Sequence, residues 1–281
     1  MQALRLYAGP MARQHIEKHG LQAPDIGTVP GAAGGPKGLI LGPLDEFIFG
    51  QWLTQSTQPV HLVGASIGAW RMATACLDDP VAAFQRLSRD YIHQHYELKP
   101  GEKRPSAQFV SERFGQSLDD FYGGRVGEVL QHPRYRLHIV TSRGRHILGR
   151  EHSLRTPLGY LGAFLTNSVH RKAMGAWLER VVFSAGKAPL PFATDDYRTR
   201  QVALNEANFM AALQASVLGR QGNTDFMLAA GRIESDGARA NADGTSKAEW
   251  DFSGDGRVDR ADVDVIAMSA VGLAGGGGGG K

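Results

Sequence analysis

The twelve-residue run Pro59-Val60-His61-Leu62-Val63-Gly64-Ala65-Ser66-Ile67-Gly68-Ala69-Trp70 constrains this chain more than any other stretch. Val60 to Val63 is short and apolar, as a strand of a buried parallel sheet should be. Glycines then flank Ser66 at a spacing of two, the nucleophile-elbow pattern G-x-S-x-G. A serine on such a strand-to-helix turn is held in a strained backbone conformation. The glycines on either side leave room for neighbouring elements, and the hydroxyl stands free of the sheet. The helix that follows (Trp70, Met72, Ala73, Ala75, Leu77) directs its first N–H groups towards developing negative charge.

Composition narrows the function classes. Lys+Arg of 31 against Asp+Glu of 28 is nearly balanced, and no basic block is interleaved with aromatics, so no nucleic-acid partner is expected. A single cysteine, Cys76, rules out an internal disulfide framework and reads as a core residue. Residues 1–20 lack the long apolar run of a signal peptide, and no stretch has the roughly 18 apolar residues of a spanning helix. The expected location is cytoplasmic.

In order along the chain, the patterning predicts a strand at 4–7, a helix over 10–21 ending at Gly20, and a strand at 25–29. A glycine-rich turn, Gly31 to Gly38, then leads into an apolar helix over 39–49. Helices are predicted over 80–98, 106–122, 158–178 and 207–218, and strands at 136–141, 180–183 and 201–204. Short apolar strands alternating with helices argue for a three-layer α/β/α sandwich with a mostly parallel central sheet. The character changes at Gly219. We expect one domain over 1–219, a transition segment over 220–248, a small extension over 249–274 and a disordered glycine tail over 275–281.

The glycine-rich turn is not a nucleotide P-loop, because Lys37 is followed by Gly38 and not by a hydroxyl residue. A strand, glycine turn and helix in that order present main-chain N–H groups suited to an oxyanion. Acyl transfer needs both parts: a serine that attacks the carbonyl and donors aimed at the charge that develops.

Ala33-Gly34-Gly35-Pro36-Lys37-Gly38 followed by Gly64-Ala65-Ser66-Ile67-Gly68 resembles the patatin-like phospholipases over roughly residues 4–219. The resemblance implies lipid acyl hydrolysis by a Ser–Asp dyad without a catalytic histidine, on phospholipid or related ester substrates, with peripheral membrane contact. It implies Ser66 as nucleophile, the backbone of Ala33, Gly34 and Gly35 as oxyanion hole, and Gly64 and Gly68 as the elbow glycines. Ala33 stands where that family has its first glycine, which keeps the N–H. The family's D-G-[GA] motif is matched by Asp236-Gly237-Ala238, which makes Asp236 the candidate base. Asp236-Gly237 is equally read as a simple turn, since Asp-Gly pairs recur at 243 and 255. The family's apolar approach to this motif is replaced here by Arg220-Gln221-Gly222-Asn223.

Histidine order speaks against the alternative Ser–acid–His triad. That arrangement places its histidine late, and the last of the ten here is His170. His61, at the start of the serine strand, reads as structural.

Asp251 to Asp262 resembles a dockerin-type calcium loop. Oxygen side chains fall at positions 1, 3, 5, 9 and 12, and Gly256 at position 6. The candidate Ca2+ ligands are Asp251, Ser253, Asp255, Arg257 (at position 7) and Asp262. Dockerins carry two such loops and this chain has one, so a cohesin partner is not expected. Two functional classes stay open: an ester-cleaving enzyme, and an impaired hydrolase domain kept as a binding or scaffolding module with a calcium-dependent tail.

Overall fold

The computed structural model describes residues 6–93, 107–149, 155–195 and 198–218. It is a three-layer α/β/α sandwich around a five-stranded, mostly parallel sheet. The strands are β1 (Thr28–Gly31), β2 (Val60–Ala65), β3 (Tyr135–Gly144), β4 (Leu178–Ser184) and β5 (Thr199–Ala203), side by side in chain order. Among the described residues only the β3–β4 pairing is antiparallel. The helices are α1 (Pro10–His19), α2 (Gly42–Phe47), α3 (Ile67–Thr74), α4 (Pro80–Ile92), α5 (Ala107–Tyr122), α6 (Val126–Leu130), α7 (Arg155–Val169) and α8 (Glu206–Leu218).

The main core lies on one face of β2 and β3. Leu62, Leu137 and Ile139 pack there against Ile67, Trp70 and Met72 of α3, Leu118 and Tyr122 of α5, and Phe209 and Leu213 of α8. Every residue of α3 is buried; its sequence is apolar apart from Arg71 and Thr74, each of which has a hydrogen-bond partner. Asp79 caps α4 by accepting the N–H of Ala82, with Pro80 at the first helical position.

The strand and turn of the serine stretch fall where the sequence places them, but α3 ends at Thr74, short of Ala75 and Leu77, and there are further corrections elsewhere. Leu6 and Tyr7 are exposed and outside any strand, and residues 1–5 lie outside the described set. The strand expected at 25–29 is displaced to Thr28–Gly31, because Ala23–Asp25 is taken up by a 3-10 turn closed by a capping box from Gln22. The helix expected from 39 to 49 is a 3-10 turn (Gly35–Leu41), then α2, then a π turn (Ile48–Trp52). The helix expected over 158–178 ends at Val169; a 3-10 turn (Arg171–Ala176) follows, and Leu178 already belongs to β4. Residues 94–106 and everything from 219 onwards, including the tail expected to be disordered, lie outside the described residues.

A polar chain crosses four strands. Gln201 Nε2 donates to Ser184 Oγ at 3.1 Å, Ser184 Oγ lies 2.9 Å from His138 Nδ1, and His138 Nε2 lies 2.8 Å from His61 Nδ1. One direction of donation satisfies every atom with both rings neutral: Gln201 to Ser184, Ser184 O–H to His138, His138 Nε2–H to His61. His61 is therefore structural, tied to a partner 77 residues away. Burial, reinforced by His61, holds the His138 pKa at about 4. Burial, with Arg134 and Arg136, holds His132 at about 4 as well; its Nδ1 accepts the N–H groups of Arg134 and Tyr135.

Both histidines titrate near 6.5 when unfolded. Below that value the unfolded chain takes up protons that the folded chain refuses. Stability is thus complete above about pH 6.5 and is lost as pH falls from there towards 4. For the fully buried His138 the loss is up to ~1.4 kcal/mol per pH unit. Urea midpoints should fall between pH 7.5 and pH 5, and His138→Gln should lower the midpoint at pH 7.5 while flattening that pH dependence.

Candidate active site

Ser66 joins β2 to α3 with φ 54° and ψ −131°, in the positive-φ region that non-glycine residues rarely adopt. The glycines around it explain how the turn is accommodated. A Cβ on Gly64 would lie 2.6 Å from the Ala69 nitrogen, inside the first turn of α3. A Cβ on Gly68 would overlap the carbonyl of Gly31, and a Cβ on Gly31 would lie 2.8 Å from the Gly68 oxygen. The end of β1 and the start of α3 thus touch backbone to backbone. Gly31 also pairs in register with Gly64.

This contact sets the glycine-rich turn beside the serine turn. The chain leaves β1 at Gly31, and Ala33, Gly34 and Gly35 lead into the 3-10 turn, with Gly35 at φ 51°. Gly38 lies against Ile67, the residue after the serine; a Cβ there would come within 2.8 Å of the isoleucine Cγ2. Ala33 and Gly35 are half-buried, and Gly34 and Lys37 are exposed.

Ser66 itself is 2% exposed. Its carbonyl accepts from Ala69 N at 2.9 Å and Trp70 N at 3.2 Å, which starts α3. Its N–H donates to Ser216 Oγ at 2.9 Å, and Ser216 donates in turn to the carbonyl of Val140 at 2.8 Å. Among the described residues the Ser66 hydroxyl has no hydrogen-bond partner, and no histidine or carboxylate is bonded to it. Asp236 lies outside the described residues, as do Asp251, Ser253, Asp255, Arg257 and Asp262. Among the described residues no group of three His, Cys, Asp or Glu side chains is placed to hold a metal, and no helix is long and apolar enough to cross a membrane.

A buried ion pair ties the two glycine motifs together. Arg71 of α3 donates from Nε and Nη2 to the two carboxylate oxygens of Asp45 on α2, both at 2.6 Å. The residues are 6% and 3% exposed. Burial pushes the Asp45 pKa up, and the Arg71 guanidinium opposes it. The sequence shows Arg71 as a single charge in an otherwise apolar stretch, which in a buried helix demands a partner, but it does not say which. Asp45 stands beside a second carboxylate, Glu46, and nothing local singles it out. Further along α3, Tyr122 donates to the Trp70 carbonyl at 3.1 Å, and Thr74 Oγ1 lies 3.0 Å from the tyrosine hydroxyl.

Comparison with known proteins found no matching family model, no matching curated protein and no matching solved structure.

Two substitutions probe this architecture. Asp45→Ala strands a buried guanidinium and should cost ~3–5 kcal/mol, whereas replacing both partners by apolar residues (Asp45→Leu with Arg71→Met) should cost much less. Gly68→Ala forces β1 and α3 apart and should lower the melting temperature by more than Gly127→Ala, a position with open space around it. Thermal and urea unfolding of the purified variants measure both.

Proposed function

We propose that this protein is a serine-dependent acyl hydrolase of the patatin-like class, cleaving carboxylic ester bonds of phospholipids or related lipids through an acyl-Ser66 intermediate. The observation that carries the reading is the Ser66 turn. A non-glycine residue is held at positive φ between a buried strand and a buried helix, its hydroxyl is unpartnered among the described residues, and the glycine-rich turn packs against the same helix. Strain of this kind, of order 1–3 kcal/mol, persists only where surrounding contacts over-determine it, and it concentrates at functional sites.

In this mechanism the hydroxyl attacks the ester carbonyl as a base removes its proton, and the alcohol leaves. Water then releases the acid from the acyl-serine. The N–H groups of Ala33, Gly34 and Gly35 are the proposed oxyanion donors, and Asp236 is the proposed base. The Ser66 N–H is already committed to Ser216, so donation to the oxyanion falls to other main-chain groups. At 2% exposure Ser66 is buried, unlike the free-standing hydroxyl that the elbow pattern leads one to expect, so in this reading an acyl group reaches it only after a local opening.

The test uses p-nitrophenyl esters, phospholipid vesicles and a fluorophosphonate label on the full chain. Wild type should be labelled and turn over ester, Ser66→Ala should do neither, and Asp236→Asn should lose at least ~10²-fold in rate. Equal inertness of wild type and Ser66→Ala in every assay would remove the enzyme reading and leave the binding-module alternative. The loop from Asp251 to Asp262 is proposed to take one Ca2+ ion. Calorimetric titration should give one site that Asp255→Ala abolishes.

A further inference from the structure

The hydroxyl of Ser216 occupies a place in the sheet that a backbone contact would otherwise fill. Val60 N–H donates to the carbonyl of Arg134, the residue before β3, while His61 N–H donates to the carbonyl of Gly27, the residue before β1, on the other side. A strand with parallel neighbours on both sides donates to each at every second residue. The even-numbered residues of β2 therefore face β3, and the series that begins with Val60 and Arg134 reaches Ser66 and Val140, six residues on in each strand. That rung is not closed directly. The Ser66 N–H goes to Ser216 Oγ, and the Ser216 hydroxyl goes to the Val140 carbonyl.

The direction of donation is forced. A carbonyl only accepts and an amide only donates, so the single hydroxyl proton of Ser216 serves Val140 and its lone pair serves Ser66. One side chain from α8, 0% exposed and 150 residues away in sequence, thus replaces a ladder bond at the position where β2 must leave the sheet. Without it, an amide and a carbonyl would be left buried and unsatisfied unless they closed on each other. Closing would draw Ser66 back into the strand and away from its positive-φ turn.

We infer that Ser216 is a positioning residue for the proposed nucleophile: its hydroxyl, inserted between the Ser66 amide and the Val140 carbonyl, holds open the last rung of the ladder and thereby aims the Ser66 side chain out of the sheet. The inference rests on the acyl-hydrolase reading for its effect on rate, but its structural content stands independently. Ser216 touches no reacting atom. It acts through the backbone of its neighbour.

The experiment compares Ser216→Ala, Ser216→Cys and Ser216→Thr in the full chain, with two readouts: hydrogen exchange of the assigned Ser66 amide, and steady-state ester hydrolysis with the rate of fluorophosphonate labelling. Ser216→Ala should speed exchange of the Ser66 amide by at least about tenfold and lower kcat by ~10²-fold with KM unchanged. Ser216→Cys keeps the shape with a weaker hydrogen bond and should fall between alanine and wild type. Ser216→Thr keeps the hydroxyl and should restore most of both. If the alanine variant does not fold, the cysteine and threonine variants decide by the same measurements. Unchanged exchange, or faster exchange with unaltered kcat, overturns the proposal. If wild type hydrolyses no ester, the hydrolase reading fails separately; the exchange data then decide whether Ser216 holds the turn, faster exchange upholding that and unchanged exchange overturning it.

Discussion

Two backbones meet at Gly31 and Gly68 with no side chain between them. That contact sets how far the end of β1 lies from the start of α3, and so how far the glycine-rich turn lies from Ser66. A methyl group at either position would separate the two segments. Gly64 solves the corresponding problem inside the turn, where the chain folds back so sharply that α3 lies over its own strand. The three glycines have one purpose, close approach, and that matters more here than conformational freedom: none of the three has a positive φ, whereas Ser66 between them does.

Close approach alone would leave the two motifs free to slide. The Asp45–Arg71 pair removes that freedom, since a bidentate carboxylate–guanidinium contact fixes orientation as well as distance. Its net contribution to stability is small, because the desolvation of two charges offsets most of their attraction. What it contributes is register between α2 and α3, the helices that follow the glycine turn and the serine turn. The polar cluster of Thr74, Tyr122 and the Trp70 carbonyl does the same between α3 and α5. The serine helix is thus held at successive turns by polar contacts set in an apolar core.

The strand-turn-helix around Ser66 was legible because its determinants are local: an apolar run, two glycines at fixed spacing and an apolar helix. The alternation of strands and helices carried the sandwich architecture for the same reason. Strand direction was not legible, and the antiparallel β4 gives no sign of itself in periodicity. The strand placed at 25–29 moved because its register is dictated by pairing with β2, and Pro30 is tolerated there because, among the described residues, β1 lies at the edge of the sheet. The apolar stretch over 158–178 looked like one helix, yet it breaks after Val169 so that Leu178 can enter the sheet. Arg71, Asp45 and Ser216 were invisible as partners, because each is defined by a contact that only the folded chain brings together.

The strands lie side by side in the order in which a ribosome produces them. Each new strand finds its neighbour already made, and the sheet can grow outwards from its first edge without waiting for a later segment to insert. The serine turn is the exception. Its amide waits for a hydroxyl that emerges 150 residues later, so the sheet can be largely assembled during synthesis while the turn at its centre is locked only when the last described helix docks.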